Sequence, residues 1–236
     1  MRYFVEGEGR AAGVQSLFAS IAQRYDLIND VQSFGAHRLW KRRLASFSEL
    51  QPGDRALDIC CGTGDVAFLL AGRGASVVGV DFCEEMLDVA RSRAASAAQA
   101  SVSFQHGDAL ELPFEDASFD VVTMAYGLRN LADLKRGLSE MRRVVCPGGR
   151  LLIFDFSMPR GPLLRSAFRL YLKTVVPLMG QAFHGDRAAY AYILESLERF
   201  PDPRSIAEDL LAMDCEWSRA RSVALGAMGL ISARAR

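Results

Sequence analysis

Three aspartates and one glycine turn are the groups in this chain best placed to do chemistry. The segment Leu57-Asp58-Ile59-Cys60-Cys61-Gly62-Thr63-Gly64-Asp65 follows an apolar run and opens a helical stretch. Gly62 and Gly64 let the backbone turn sharply and approach a ligand closely. A helix beginning near Asp65 offers free N–H groups and the positive end of its dipole. Asp81 closes Val77-Val78-Gly79-Val80-Asp81, where a carboxylate can accept from both hydroxyls of a ribose. Asp108 follows the next apolar run, where it can accept from the amino group of an adenine. All three aspartates stand at the C-terminal ends of strand candidates, the edge at which open α/β sheets bind ligands.

The same turn satisfies a dinucleotide pattern, because Gly62-Thr63-Gly64-Asp65-Val66-Ala67 fits G-x-G-x-x-[GA]. Pattern alone therefore leaves NAD and S-adenosyl-L-methionine open. Charge favours the second. A pyrophosphate would bring two negative charges to a turn flanked by Asp58 and Asp65, whereas S-adenosylmethionine brings an ammonium and a sulfonium. Thr63, Phe82, Ala109 and Ala125 complete the set expected around the donor.

Placing these residues requires alternating strands and helices. Ala56–Cys60, Ser76–Val80, Val102–Gln105, Asp120–Met124 and Leu151–Phe154 are short apolar runs of strand type. Asp65–Ala71, Glu84–Arg93 and Asp133–Val144 are helical stretches between them, which predicts a parallel sheet covered on both faces. Pro147-Gly148-Gly149 is expected to turn the last of these helices into the next strand. Before this core, a polar leader gives way to helices in which Leu17, Ile21, Tyr25 and Ile28 share one face. After it, Pro159 to Phe200 is a helical insertion, and Ile206–Arg236 holds a helix and a final strand pair.

Bulk properties exclude several classes. With 236 residues, half of them hydrophobic, the chain can bury one large core. Zero formal net charge argues against nucleic acid as a partner. The five cysteines show no metal-ligand spacing, and an odd count behind the polar MRYFVEGEGR start suggests a reduced, cytoplasmic protein. The longest apolar stretch, Leu170 to Phe183, is interrupted by Lys173 and Pro177 and is too short to span a bilayer.

Several stretches resemble the menaquinone and ubiquinone C-methyltransferases, which methylate a ring carbon of a polyprenyl hydroquinone. They are Tyr25-Asp26-Leu27-Ile28-Asn29-Asp30, Ser33-Phe34-Gly35-Ala36-His37-Arg38-Leu39-Trp40-Lys41, Cys60-Cys61-Gly62-Thr63-Gly64-Asp65, Gly107-Asp108-Ala109 with Leu112-Pro113-Phe114, and Tyr126-Gly127-Leu128-Arg129-Asn130. Pro147-Gly148-Gly149-Arg150, Phe156-Ser157-Met158-Pro159, Tyr190-Ala191-Tyr192-Ile193 and Phe200-Pro201 complete the run. Where that family ends on an Asn/Thr-Gly-Gly strand, this chain has Ala224-Leu225-Gly226-Ala227-Met228-Gly229. Adjacent Cys60 and Cys61 resemble a subset closer to the menaquinone makers.

The resemblance implies a Rossmann-like class I methyltransferase of α/β class: a mostly parallel seven-stranded sheet with helices on both faces, N-terminal helices and a helical lid insertion. Residues 1–50 would form a helical cap and 51–236 the donor-binding domain, with 159–200 as the lid. It also implies S-adenosyl-L-methionine as cofactor, a polyprenyl quinol as acceptor, and a homodimer. A methyltransferase acting on another small aromatic or sterol-like acceptor, a nicotinamide oxidoreductase and a non-catalytic donor-binding module are the competing readings.

Carbon methylation needs alignment of the two reactants and a stabiliser for the phenolate that activates the ring. Arg129 suits the stabiliser, since its guanidinium stays charged, unless Asp133 or Asp155 engages it as a structural partner. Tyr25 could orient the ring or pass a proton, and Asn29 and Asp26 could serve the same pocket or cap the helix. His37 is expected at a surface or cap, His106 exposed at a strand end, and His184 in the insertion. Within the insertion, Leu164, Phe168, Tyr171, Leu172 and Val175 share a helical face while Arg165, Arg169 and Lys173 form a basic stripe. That pattern fits an ordinary amphipathic helix, or a lid that covers an isoprenoid tail and meets anionic lipid headgroups.

Overall fold

The computed structural model describes residues 8–97, 100–184 and 188–236. Five parallel strands carry the core: β1 (Arg55–Ile59), β2 (Ser76–Asp81), β3 (Val102–His106), β4 (Phe119–Ala125) and β5 (Val145–Phe156). A terminal hairpin of β6 (Cys215–Val223) and β7 (Met228–Ala235) completes a seven-stranded sheet of order β3-β2-β1-β4-β5-β7-β6, with β7 antiparallel to both neighbours. The order reverses between β1 and β4, so the connections leave opposite faces there and open a crevice at the strand ends.

Helices cover both faces. Before the sheet come α1 (Glu8–Ile21), α2 (Tyr25–Ser33) and α3 (Ala36–Ser46); between strands lie α4 (Asp65–Ala71), α5 (Glu84–Ser96) and α6 (Leu134–Val144). The insertion folds as α7 (Pro162–His184) and α8 (Ala188–Arg199), and α9 (Pro203–Ala212) precedes the hairpin. Asp202 caps α9 by accepting from Arg204 N–H, with Pro203 preset for the first turn.

One layer of core lies under α6 and α9, built on Leu57, Val122, Leu151 and Ile231. A second lies under α3 and α4, on Leu44, Val66, Leu70 and Leu152. A third joins segments far apart in the chain: Leu17, Ile21 and Ile28 meet Cys83 and Met86 of α5, Leu172 and Val176 of α7, and Leu197 of α8. The N-terminal helices and the insertion therefore form one cover.

Two sequence expectations are corrected. Pro147-Gly148-Gly149 is no inter-element turn: β5 begins directly after α6 at Val145, and these residues are a bulge between the Phe119–Val145 and Val121–Arg150 pairings. On α7 the inward face is Phe168, Tyr171, Leu172 and Val176, while Leu164 and Val175 are exposed. The Tyr171 hydroxyl on this face donates to Gln32 O of α2 at 3.1 Å. The side chains of His184 and the Tyr190-Ala191-Tyr192-Ile193 stretch lie outside the described residues.

Candidate active site

The crevice at the β1/β4 reversal holds an open cavity. Its floor is the turn after β1. Cys60, Gly62 and Gly64 all adopt left-handed backbone, with φ of 55°, 55° and 87°. A side chain at Gly64 would also drive its Cβ to 2.7 Å from Phe104, so the turn tolerates only glycine there.

Asp81 locks this turn. Its Oδ2 accepts from Gly62 N–H at 2.8 Å and its Oδ1 from Cys83 N–H at 2.9 Å, tying the end of β2 to both the glycine turn and the start of α5. Each carboxylate oxygen retains a second acceptor direction, and Asp81 lines the cavity. Burial, the largest influence, raises its pKa against these backbone bonds.

Of the positions expected around the donor, Gly62, Asp81, Phe82, Asp108, Ala109 and Ala125 line the cavity; Asp58, Thr63 and Gly64 lie behind its wall. Asp58 is fully buried, with Oδ1 accepting from Thr123 Oγ1 at 2.7 Å and Oδ2 without a partner among the described residues. Burial pushes its pKa up to about 7. Thr63 donates to Asp26 Oδ1 at 2.8 Å. Asp108 is exposed at the rim and accepts from Leu110 N–H at 2.9 Å.

The charge reasoning for the turn needs correction at Asp65. Its carboxylate does not confront the ligand; Lys41 Nζ at 2.9 Å and Arg93 Nη2 at 2.7 Å engage its two oxygens. Although burial alone would raise its pKa, these two cations hold it at about 2. Arg93 also donates to Thr63 O and Asp26 Oδ2, so Asp26 belongs to a clamp joining α2, α3 and α5 to the glycine turn. The acidic character offered to a ligand comes from Asp81 and Asp108, with Asp58 behind them.

Those groups fit S-adenosylmethionine. The left-handed glycine turn lets a ligand approach the backbone, Asp81 and Asp108 present carboxylate oxygens along the cavity, and Asp58 stands behind the turn.

The opposite wall is apolar and aromatic. Val14, Gln15 and Phe18 of α1 lie over the cavity, and Gln15 Nε2 donates to Phe82 O at 3.4 Å. Tyr25 lines the same wall, edge-on to Phe18 with ring centroids 6.0 Å apart, and lies against Gly62. Of the three residues expected to be catalytic, Tyr25 alone is brought to the cavity. Asn29 lies one helical turn further on, outside the wall, its carbonyl accepting from Ser33 Oγ. Arg129 is buried behind the wall, its Nη1 donating to Asp155 Oδ1 at 2.6 Å and to Tyr126 O at 2.7 Å. The structural partner foreseen for Arg129 is thus Asp155.

His37 corrects another expectation: it is buried, not superficial, and its Nε2 lies 2.8 Å from Asp30 Oδ1. Burial lowers its pKa despite that carboxylate. His106 is exposed at the end of β3, its ring 5.6 Å from Phe82.

Sequence reasoning assigned no role to Val14, Gln15, Phe18, Cys60, Tyr126 or Asn130, which all line the cavity. A signal existed for α1, because Val14, Phe18, Ile21 and Tyr25 recur at helical spacing inside what reads as a polar leader.

Comparison with known proteins agrees with this geometry. The family model described as the ubiE/COQ5 methyltransferase family matches residues 5–228. A demethylmenaquinone methyltransferase of Deinococcus radiodurans is 44% identical over 94% of this chain and 92% of its own length. A 2-phytyl-1,4-naphtoquinone methyltransferase of Synechococcus elongatus is 44% identical over 92% and 95%, and a ubiquinone/menaquinone biosynthesis C-methyltransferase of Roseobacter denitrificans 41% over 93% and 89%. In fold, a SAM-dependent methyltransferase of Thermotoga maritima superposes with a TM-score of 0.65, at 21% identity over 94% of this chain and 99% of that one.

Proposed function

We propose, from the premise that this chain belongs to the ubiE/COQ5 methyltransferase family and takes its methyl group from S-adenosylmethionine, that it methylates a ring carbon of a polyprenyl hydroquinone with a naphthoquinol head group. The observation that carries this reading is the pairing of two unlike walls in one cavity: carboxylates on the strand side, and Val14, Phe18, Tyr25 and Met86 on the other. An aromatic head group with an apolar tail fits the second wall, and two of the relatives above bear naphthoquinone chemistry in their names.

Bound there, S-adenosylmethionine supplies an electrophilic methyl group. Asp81 fixes the donor through the β2 end, and Tyr25, lying against Gly62, orients the acceptor ring. Arg129 acts from behind: gripping Tyr126 O, it positions the wall at the end of β4. The apolar wall keeps water from the reacting carbon. A methylation assay comparing short-chain naphthoquinol with benzoquinol tests the reading. Faster turnover of the naphthoquinol supports it; a preference for the benzoquinol contradicts the head group, and no turnover of either contradicts the acceptor class.

The acceptor's tail suggests peripheral contact with an anionic membrane from the cytoplasmic side. Among the described residues no helix is long and apolar enough to cross a membrane. On α7, however, Leu163, Leu170 and Leu178 form an exposed stripe, 83%, 62% and 53% accessible, and Arg165 and Lys173 are exposed on the same helix. Arg169, 3.2 Å from Glu198, adds less charge than its sequence position implies. Liposome binding should rise with anionic lipid and fall with salt. Binding left unaltered by changing Arg165, Arg169 and Lys173 to Glu contradicts the contact. The homodimer implied by the resemblance is the assembly proposed; sedimentation as a monomer contradicts it.

A further inference from the structure

We propose that the β6–β7 turn and the cleft it borders form a phospholipid-headgroup site through which the protein grips an anionic bilayer. The proposal rests on the lipidic acceptor argued above and names the part of the surface that meets the lipid. Met228 at the start of β7 pairs with Phe156 at the end of β5, so the turn lies at the C-terminal edge of the parallel strands, the edge that carries the active-site cavity. The cleft opens between this turn, the start of α9 and the linker from β5 to α7. Arg160, Asp202, Arg204, Arg221 and Leu225 are among the residues that line it.

Its charge is unbalanced. Asp202 is engaged by Arg160, whose Nη2 lies 2.8 Å from Oδ1 and 3.0 Å from Oδ2. Arg204 and Arg221 are exposed, and neither has a carboxylate partner among the described residues. Arg221 stands instead 5.0 Å from the Phe47 ring. A neighbouring hollow shares Arg160 and Asp202 and adds Arg165, which is likewise exposed and unpaired among the described residues. The other carboxylate of that hollow, Glu198, is engaged by Arg169 at 3.2 Å. Arg165, Arg204 and Arg221 thus offer planar guanidinium forks, the geometry that matches a phosphate.

The turn supplies an apolar prong. Ala224, Leu225 and Gly226 are all left-handed, with φ of 51°, 57° and 93°, a backbone disfavoured for the first two. It packs on the linker so closely that a Cβ at Gly226 would lie 3.2 Å from Pro159 Cα. This strained turn leaves Leu225 81% accessible at a cleft lined by arginines. Leu163, three residues beyond Arg160, is as exposed. Apolar side chains held out beside cations suit the boundary between headgroups and acyl chains. A soluble anion or a nucleic acid would gain nothing from them.

Arg204→Gln with Arg221→Gln removes two charges of the cleft, and Leu225→Ser removes the prong; none of the three residues lines the active-site cavity. In cosedimentation with phosphatidylcholine vesicles containing phosphatidylglycerol, partitioning of the double variant should weaken about 10- to 30-fold. That of Leu225→Ser should weaken about 3- to 10-fold. Added salt should narrow the first difference and spare the second. Melting temperature and turnover of a soluble short-chain quinol should stay at wild-type values. Vesicle binding equal to wild type in both variants would overturn the proposal. Calorimetry in which inorganic phosphate or a short RNA binds the wild type but not the double variant, with vesicle binding unaffected, would overturn the lipid as occupant. If the wild-type protein methylates no quinol, the acceptor class itself fails; if it does and the variants bind vesicles as well as it does, only this site fails.

Discussion

The glycine-turn side of the cavity and its helical cover are built on opposite plans. The turn side comes from one contiguous stretch, Leu57 to Asp65, plus the ends of β2 and β4, and is fixed by backbone hydrogen bonds to Asp81. The cover gathers α1, α2, α7 and α8 from positions more than a hundred residues apart and holds them by apolar packing of Leu17, Ile28, Leu172 and Leu197. Hydrogen bonds fix position sharply, which suits a donor of constant shape. Apolar packing is less directional, which suits a lipidic acceptor. The Lys41–Asp65–Arg93–Asp26 clamp joins the two halves.

The largest effect that sharpens this contrast is at Arg129. Its buried pair with Asp155 should make Arg129→Met cost about 3–5 kcal/mol of stability in denaturant unfolding, because Asp155 is left charged and buried. Turnover lost at wild-type stability would instead make Arg129 a direct participant. Next comes a double dissociation. Leu172→Ala should lower stability by about 3 kcal/mol and raise the KM for the quinol, with donor affinity nearly unchanged. Asp81→Ala should weaken S-adenosylmethionine binding by about 100-fold in calorimetry and leave the cover folded. If Leu172→Ala and Asp81→Ala gave the same profile, the two halves would not be separable.

The smallest effect concerns pH. Asp58 ionises near its ordinary pKa when unfolded, but only at about 7 when folded, so the folded state holds its proton longer. Its contribution is therefore full below about pH 4 and declines as pH rises to 7. Asp65, held down at about 2, changes only below this window. Asp58→Asn should flatten the stability profile between pH 4 and 7 in thermal melts; an unchanged slope would show that Asp58 is ionised in the folded chain.

The contrast also explains what was legible. Strand-helix alternation, the glycine turn and Asp81 were readable because each is local: a period, a turn residue, a strand end. The fate of Asp65 was not, because its partners Lys41 and Arg93 lie 24 and 28 residues away and reach it only through the fold. His37 was misjudged for the same reason, since its burial depends on how α3 lies against the sheet. The rotation of α7 was not legible either, because Val175 and Val176 are both apolar and only packing against α1 and α2 buries the second. Pro147-Gly148-Gly149 carries turn composition, yet a bulge uses the same residue types.

Where the acceptor ring sits is the most direct test of the two-walled cavity. A crystal structure with S-adenosylhomocysteine and a short-chain naphthoquinol should show the ring inside the cavity against Tyr25, its reacting carbon facing the sulfur held above Gly62. A ring bound on α7 or outside the cavity, with the space beside Tyr25 filled by solvent, would contradict it.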